Sequence, residues 1–241
     1  MKEIKNANCI TLSFGEGRVR LMKKFLPITV ILLLLTVTSL FAHTINYDLS
    51  KMTRGGYFWM YLKLGFTHII PLGLDHILFV LSIFFLSPKL KIVLWQATAF
   101  TVAHSITLGL AMYGIIKPIS SIVEPVIALS IVFVALENFF AEKVNPWRVI
   151  LIFCFGLVHG MGFASALTEL GLPQTEFATA LISFNLGVEL GQVAVILTAY
   201  MLVGFWFGKK VWYRKRIVYP ASGMIALIAL YWTIERVFLV G

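Results

Sequence analysis

The stretch Gly65-Phe-Thr-His68-Ile-Ile-Pro71-Leu-Gly73-Leu-Asp75-His76-Ile-Leu-Phe79 decides how this chain is to be read. It is apolar enough for lipid, yet proline and glycine interrupt it where two histidines and an aspartate gather. An ionisable side chain at bilayer depth costs about 2.5 to 10 kcal/mol or more. Interrupted helices are tolerated there when the break lines a protein-enclosed cavity, and in transporters such breaks form ion sites. Neutral imidazole nitrogen suits nickel, cobalt, copper and zinc, and a nearby carboxylate supplies charge. Asp75 could instead orient an imidazole from behind, or cap the next helix while His76 hydrogen-bonds a neighbouring carbonyl. A cap accounts for Asp75 but leaves two histidines unexplained.

Composition agrees with a membrane setting. Of 241 residues, 59% are hydrophobic and 13% charged, with mean hydropathy +0.91. Apolar runs of this length exceed what a soluble core uses. The expected fold is all-α, a polytopic membrane bundle of about six transmembrane helices plus an outer amphipathic or re-entrant half-helix at 57–70. The spans fall near 72–88, 92–114, 121–141, 147–168, 177–207 and 217–240, with Pro88, Pro118, Pro146 and Pro173 in the connections.

Upstream, Met22-Lys23-Lys24, the apolar run 25–40 and Phe41-Ala42 read as a signal peptide at 22–42. Residues 1–21 are then expected to be a non-native or disordered extension, with Met22 the true start. Residues 43–56 form a short extracytoplasmic segment, and 57–241 the membrane domain. A cleaved signal leaves the mature N-terminus outside. The positive-inside rule agrees: Lys89, Lys91, Lys143, Arg148, Lys209, Lys210, Arg214, Lys215 and Arg216 fall in connections assigned to the cytoplasm, whereas the outer ones carry Lys117, Glu169 and Glu176. The net charge of +9 therefore reports topology and not a nucleic-acid partner. The two cysteines, Cys9 and Cys154, cannot make a disulfide framework.

Further polar groups occupy the later spans. Thr101, His104 and Thr107 share one helical face; such a stripe binds something or joins helices. His159 stands between Gly156 and Gly160, whose spacing permits close helix contact. Asn185, Glu189 and Gln192 recur at i, i+4 and i+7 on one face, with Gly187 and Gly191 beside them. Glu124 begins the third span from outside. At about 1.5 Å rise per residue, all these groups can converge between the outer mouth and the midplane, whereas Glu137 and Asn138 lie roughly 20 Å beyond Glu124. Glu235-Arg236 reads as an interfacial ion pair. The candidate metal ligands are thus His68, Asp75, His76, His104, His159, Glu124 and Glu189, with Ser105 and Asn185 placed to support them. The chain has no Walker A loop, G-x-S-x-G elbow or H-E-x-x-H, which argues against ATP hydrolysis and zincin-type proteolysis.

Taken with Phe100-Thr-Val-Ala-His104-Ser105 and Phe155-Gly-Leu-Val-His159-Gly160, the opening stretch resembles the HupE/UreJ family of bacterial membrane proteins, over about Gly65 to Gly191. In the hydrogenase-linked branch proline directly follows the first histidine. Here Ile69 follows His68, which brings the chain closer to the second, broader branch. Many of that branch carry a sizeable extracytoplasmic domain, for which 43–56 is too short. The resemblance implies a nickel or cobalt permease of the bacterial cytoplasmic membrane, with His68, Asp75 and His76 matching the family's first-helix motif. The metal ion and the lipid bilayer are then the partners, and a homo-oligomer is compatible with the pattern. The alternative is an intramembrane metal-dependent hydrolase or transferase acting on a lipid or lipid-linked substrate. Three histidines with carboxylates also describe catalytic zinc with an open position for water.

Overall fold

The computed structural model describes residues 53–164 and 176–238. The expected extension, signal peptide and most of the extracytoplasmic segment lie outside the described residues, as do Glu169 and Pro173. Every element among the described residues is helical.

Helix α1 (Arg54–Ile69) is capped by Thr53, whose hydroxyl accepts the Gly56 amide hydrogen at 3.2 Å. It stops because Pro71 disfavours helical geometry in the residue before it: Ile70 is extended, at φ −121° and ψ 115°. Helix α2 (Leu74–Leu86) starts after Gly73, with Asp75 in its first turn, where the helix dipole favours a carboxylate. The two helices are bent by 66°. Neither reaches the roughly 20 residues of a crossing; joined, they are long and apolar enough for one broken span or a re-entrant loop. The half-helix and the first expected span are therefore two limbs of one interrupted element.

Helices α3 (Leu90–Met112) and α4 (Ser120–Phe140) are each long and apolar enough to cross a membrane. So is α6 (Phe177–Ala199), which continues through a π-helical turn to Phe207. The last is α7 (Tyr219–Phe238), extended by a π-helical turn from Arg214. Helix α5 (Arg148–Gly162), at 15 residues, is shorter, and the far end of the span expected at 147–168 lies outside the described residues. The chain is a multi-pass all-helical membrane protein. Its described residues hold four candidate spans, or five if the bent pair is one span, which leaves the expected count of about six unconfirmed.

Helix α2 is the axis of the bundle, touching α1, α3, α4, α6 and α7. Eight of its thirteen residues are buried, which is why it is apolar all round instead of amphipathic. Around it, α1 lies along α6, α3 along α5, and α4 along α7. Glycine sets the closest approaches. A Cβ at Gly156 would stand 2.6 Å from the Phe100 carbonyl oxygen, and one at Gly160 would collide with the His104 carbonyl and the Thr107 hydroxyl. Close α3–α5 contact therefore requires these glycines, and it places His104 beside His159.

At the end of the bundle away from Gly73, polar groups bind helices to one another. Asn138 Nδ2 donates to the Ser82 carbonyl at 3.0 Å and to Ser222 Oγ at 2.9 Å, joining α4 to α2 and α7. Arg148, fully buried, donates through Nε to Glu137 at 2.8 Å. Arg148, counted above as a loop charge, is thus half of a buried ion pair.

Candidate metal centre

Four elements each bring one imidazole to the Gly73 break. His68 lies in the last turn of α1, His76 follows Asp75 in α2, His104 comes from α3, and His159 from the last turn of α5. The ring centroids of His68 and His76 are 4.7 Å apart, those of His76 and His104 5.9 Å, and those of His76 and His159 5.1 Å. One ring nitrogen each from His68, His76 and His104 lies within 4.8 Å of the others. Bonds of about 2.1 Å at tetrahedral angles need nitrogens about 3.4 Å apart, so side-chain adjustments on the order of an ångström would close the trio on an ion.

Hydrogen bonding assigns two of the tautomers. Asn185 Nδ2 donates to the Leu181 carbonyl at 2.8 Å, which turns Oδ1 toward His104 Nδ1 at 3.1 Å. That contact is a hydrogen bond only if Nδ1 carries the proton, so Nε2 keeps a bare lone pair. His159 repeats the logic. Ser130 Oγ donates its hydrogen to the Ile127 carbonyl at 2.6 Å and so accepts from His159 Nε2 at 3.0 Å, leaving Nδ1 bare. His104 Nε2 and His159 Nδ1 are both buried without a partner, as are Nε2 of His68 and Nε2 of His76. Four unsatisfied buried imidazole nitrogens in one place are rare in folded proteins. Their chemistry is that of a soft-to-borderline cation site.

Aromatic rings close the surroundings. Phe163 sits 4.1 Å from the His68 ring and stacks on Phe184 at 5.2 Å. Phe100 lies 5.0 Å from His159 and 5.7 Å from His76. On the open side, a cavity of about 340 Å³ reaches His68, His76 and His159, with Asp75, Glu124 and Arg236 on its wall. His104 stands behind this front row.

The acidic candidates separate in space. Asp75 lies at the cavity but is gripped by Arg236, whose Nη2 donates to both carboxylate oxygens at 2.9 and 3.1 Å. Arg236 Nη1 also donates to the Glu124 carbonyl at 3.2 Å. The local Glu235-Arg236 pair expected from sequence is therefore replaced by a contact 161 residues away. Glu124 lines the same cavity. Glu189 does not join the trio: its Oε1 accepts from Thr98 Oγ1 at 2.6 Å, on the α3–α6 interface. Ser105 donates to the Thr101 carbonyl of its own helix at 2.7 Å, whereas Asn185 directly supports His104.

Sequence reasoning missed Ser130 and misplaced Arg236. An isolated serine in an apolar helix carries no mark of its partner, and Arg236 has an acidic neighbour that offers a simpler pairing.

A bundle of apolar helices enclosing a buried cluster of imidazoles defines a multi-pass membrane protein. The chain belongs to the HupE/UreJ family, whose description, HupE / UreJ protein, matches residues 29–236. No curated protein and no solved structure matches the chain.

Proposed function

We propose that this protein is a secondary permease for a divalent transition-metal ion, nickel or cobalt, moving it from the outside inward. The observation that carries the reading is the trio of His68, His76 and His104, whose Nε2 atoms are buried without a hydrogen-bond partner at a helix break beside a cavity. Membership of a family associated with nickel and cobalt transport supports the choice of ion. His159, one ring from His76, completes or receives from the trio.

In this reading the ion enters through the cavity past Asp75 and Glu124. The carboxylates attract it, and Arg236 offsets part of their charge so that the mouth does not hold it too tightly. An ion in transit must be bound well enough to enter and weakly enough to leave. The imidazoles then replace water from its hydration shell, and the surrounding phenyl rings keep the rest of the pathway dry.

The test is metal accumulation by proteoliposomes offered Ni²⁺, Co²⁺, Zn²⁺ and Mn²⁺ together, read by elemental mass spectrometry. The expected result is accumulation of nickel or cobalt well beyond the protein content, abolished by His76→Ala. Metal that never exceeds about one ion per chain, in tight and oriented vesicles, would refute transport and favour a resident catalytic zinc.

A further inference from the structure

The α3–α6 interface carries a second polar group that the imidazole trio does not use. His104 stands opposite Asn185 and Thr98 opposite Glu189, so the two helices run antiparallel here. Gln192 reaches back past Glu189 and donates through Nε2 to Thr101 Oγ1 at 3.2 Å. Thr98, Thr101, Glu189 and Gln192 thus meet within two helical turns.

Two acceptors in this group remain unmatched. Glu189 Oε2 and Gln192 Oε1 are buried and have no hydrogen-bond partner, and Gln192 is fully buried. Asp75, Glu137 and Glu176 each pair with an arginine, but Glu189 has no ion-pair partner among the described residues. It sits near the middle of Phe177–Phe207, where an uncompensated carboxylate costs several kcal/mol. Two orphaned buried oxygens three residues apart on one helix need either a cation or a proton.

We propose that Thr98, Thr101, Glu189 and Gln192 form an oxygen-donor subsite that takes the divalent ion after it leaves the imidazole trio. The inference rests on the permease reading above. Glu189 lies one turn, about 6 Å, further along α6 than the asparagine that holds His104. The donor change supplies a direction. Imidazole suits nickel and cobalt, whereas carboxylate, carbonyl and hydroxyl oxygens suit harder ions such as manganese and hold the later first-row metals less firmly. An ion handed from nitrogen to oxygen donors is therefore easier to release. The competing account is a protonated Glu189 that donates to Gln192 Oε1 and only joins helices.

Glu189→Gln separates the two, because glutamine keeps the shape and the donor of the protonated acid but removes the charge. The protein in lipid nanodiscs is titrated with Mn²⁺, followed by electron paramagnetic resonance, and with Ni²⁺, followed by equilibrium dialysis. Glu189→Gln is expected to weaken Mn²⁺ binding about tenfold or more, while the tightest Ni²⁺ equivalent, held by the imidazole trio, stays within about twofold. His76→Ala is expected to do the reverse. Gln192→Leu, which removes the amide oxygen and no charge, must also weaken Mn²⁺, and it serves if Glu189→Gln does not fold. Mn²⁺ binding unchanged in Glu189→Gln and Gln192→Leu, or Mn²⁺ binding lost entirely in His76→Ala, overturns the subsite. Ni²⁺ affinity unchanged in His76→Ala overturns the imidazole centre instead, and leaves the manganese result readable.

Discussion

Replacing Asn185 with leucine tests whether a second residue sets the protonation of the centre. Asn185 and His104 are both buried, so water cannot take over the 3.1 Å contact between them. Without Oδ1, His104 Nδ1–H becomes an unpartnered buried donor, at a cost of about 1 to 3 kcal/mol. The imidazole can escape part of that cost by moving its proton to Nε2, the nitrogen it would offer to the ion. Binding must then reverse the shift. At about 1.4 kcal/mol per factor of ten, Ni²⁺ or Co²⁺ affinity should fall about 10- to 100-fold. Leucine has a similar volume, so little cavity is created. Asn185→Asp restores an acceptor facing His104 and should recover most of the binding. The assay is equilibrium dialysis in nanodiscs, with ¹⁵N shifts of the imidazoles reporting the tautomer. Affinity of Asn185→Leu within about twofold of wild type would refute the tautomer argument.

Three other substitutions probe the frame around the site. Arg236→Met removes the cation that holds Asp75; divalent-ion affinity should rise in titration, and an unchanged value would mean that Arg236 does not balance charge at the cavity. Gly160→Leu drives a side chain into the His104 carbonyl and Thr107; overpacking of this kind costs about 1 to 3 kcal/mol, so the thermal midpoint should drop and metal binding should fall with it. Glu137→Gln leaves the fully buried Arg148 without its counter-charge; a loss approaching 3 to 5 kcal/mol is expected, visible as a lower unfolding temperature with Ni²⁺ affinity retained in the folded fraction.

Much of this molecule is legible in one dimension. Apolar runs, prolines at helix ends and the Pro71–Gly73 interruption are local signals, because a backbone in lipid must satisfy its own hydrogen bonds and proline cannot. The same reasoning let His76, His104 and His159 converge between the outer mouth and the midplane, since rise per residue depends only on position. Gly156 and Gly160 announced a close helix contact, although not with which helix. Depth and face are one-helix properties. Neighbourhood is not.

What the tertiary structure alone decided is which side chains meet. That α2, the shortest apolar limb among the described residues, forms the axis of the bundle follows from how five neighbouring helices pack against it. Asp75 faces Arg236 across 161 residues, Ser130 faces His159, and Glu189 turns from the histidines toward Thr98. No periodicity encodes those pairings, because they depend on helix rotation and partner choice set by packing over the whole core. The amino-acid sequence determined that this protein places histidines and carboxylates in a membrane. The fold determined that three imidazoles share a centre while one carboxylate is tied by arginine and another stands a turn away.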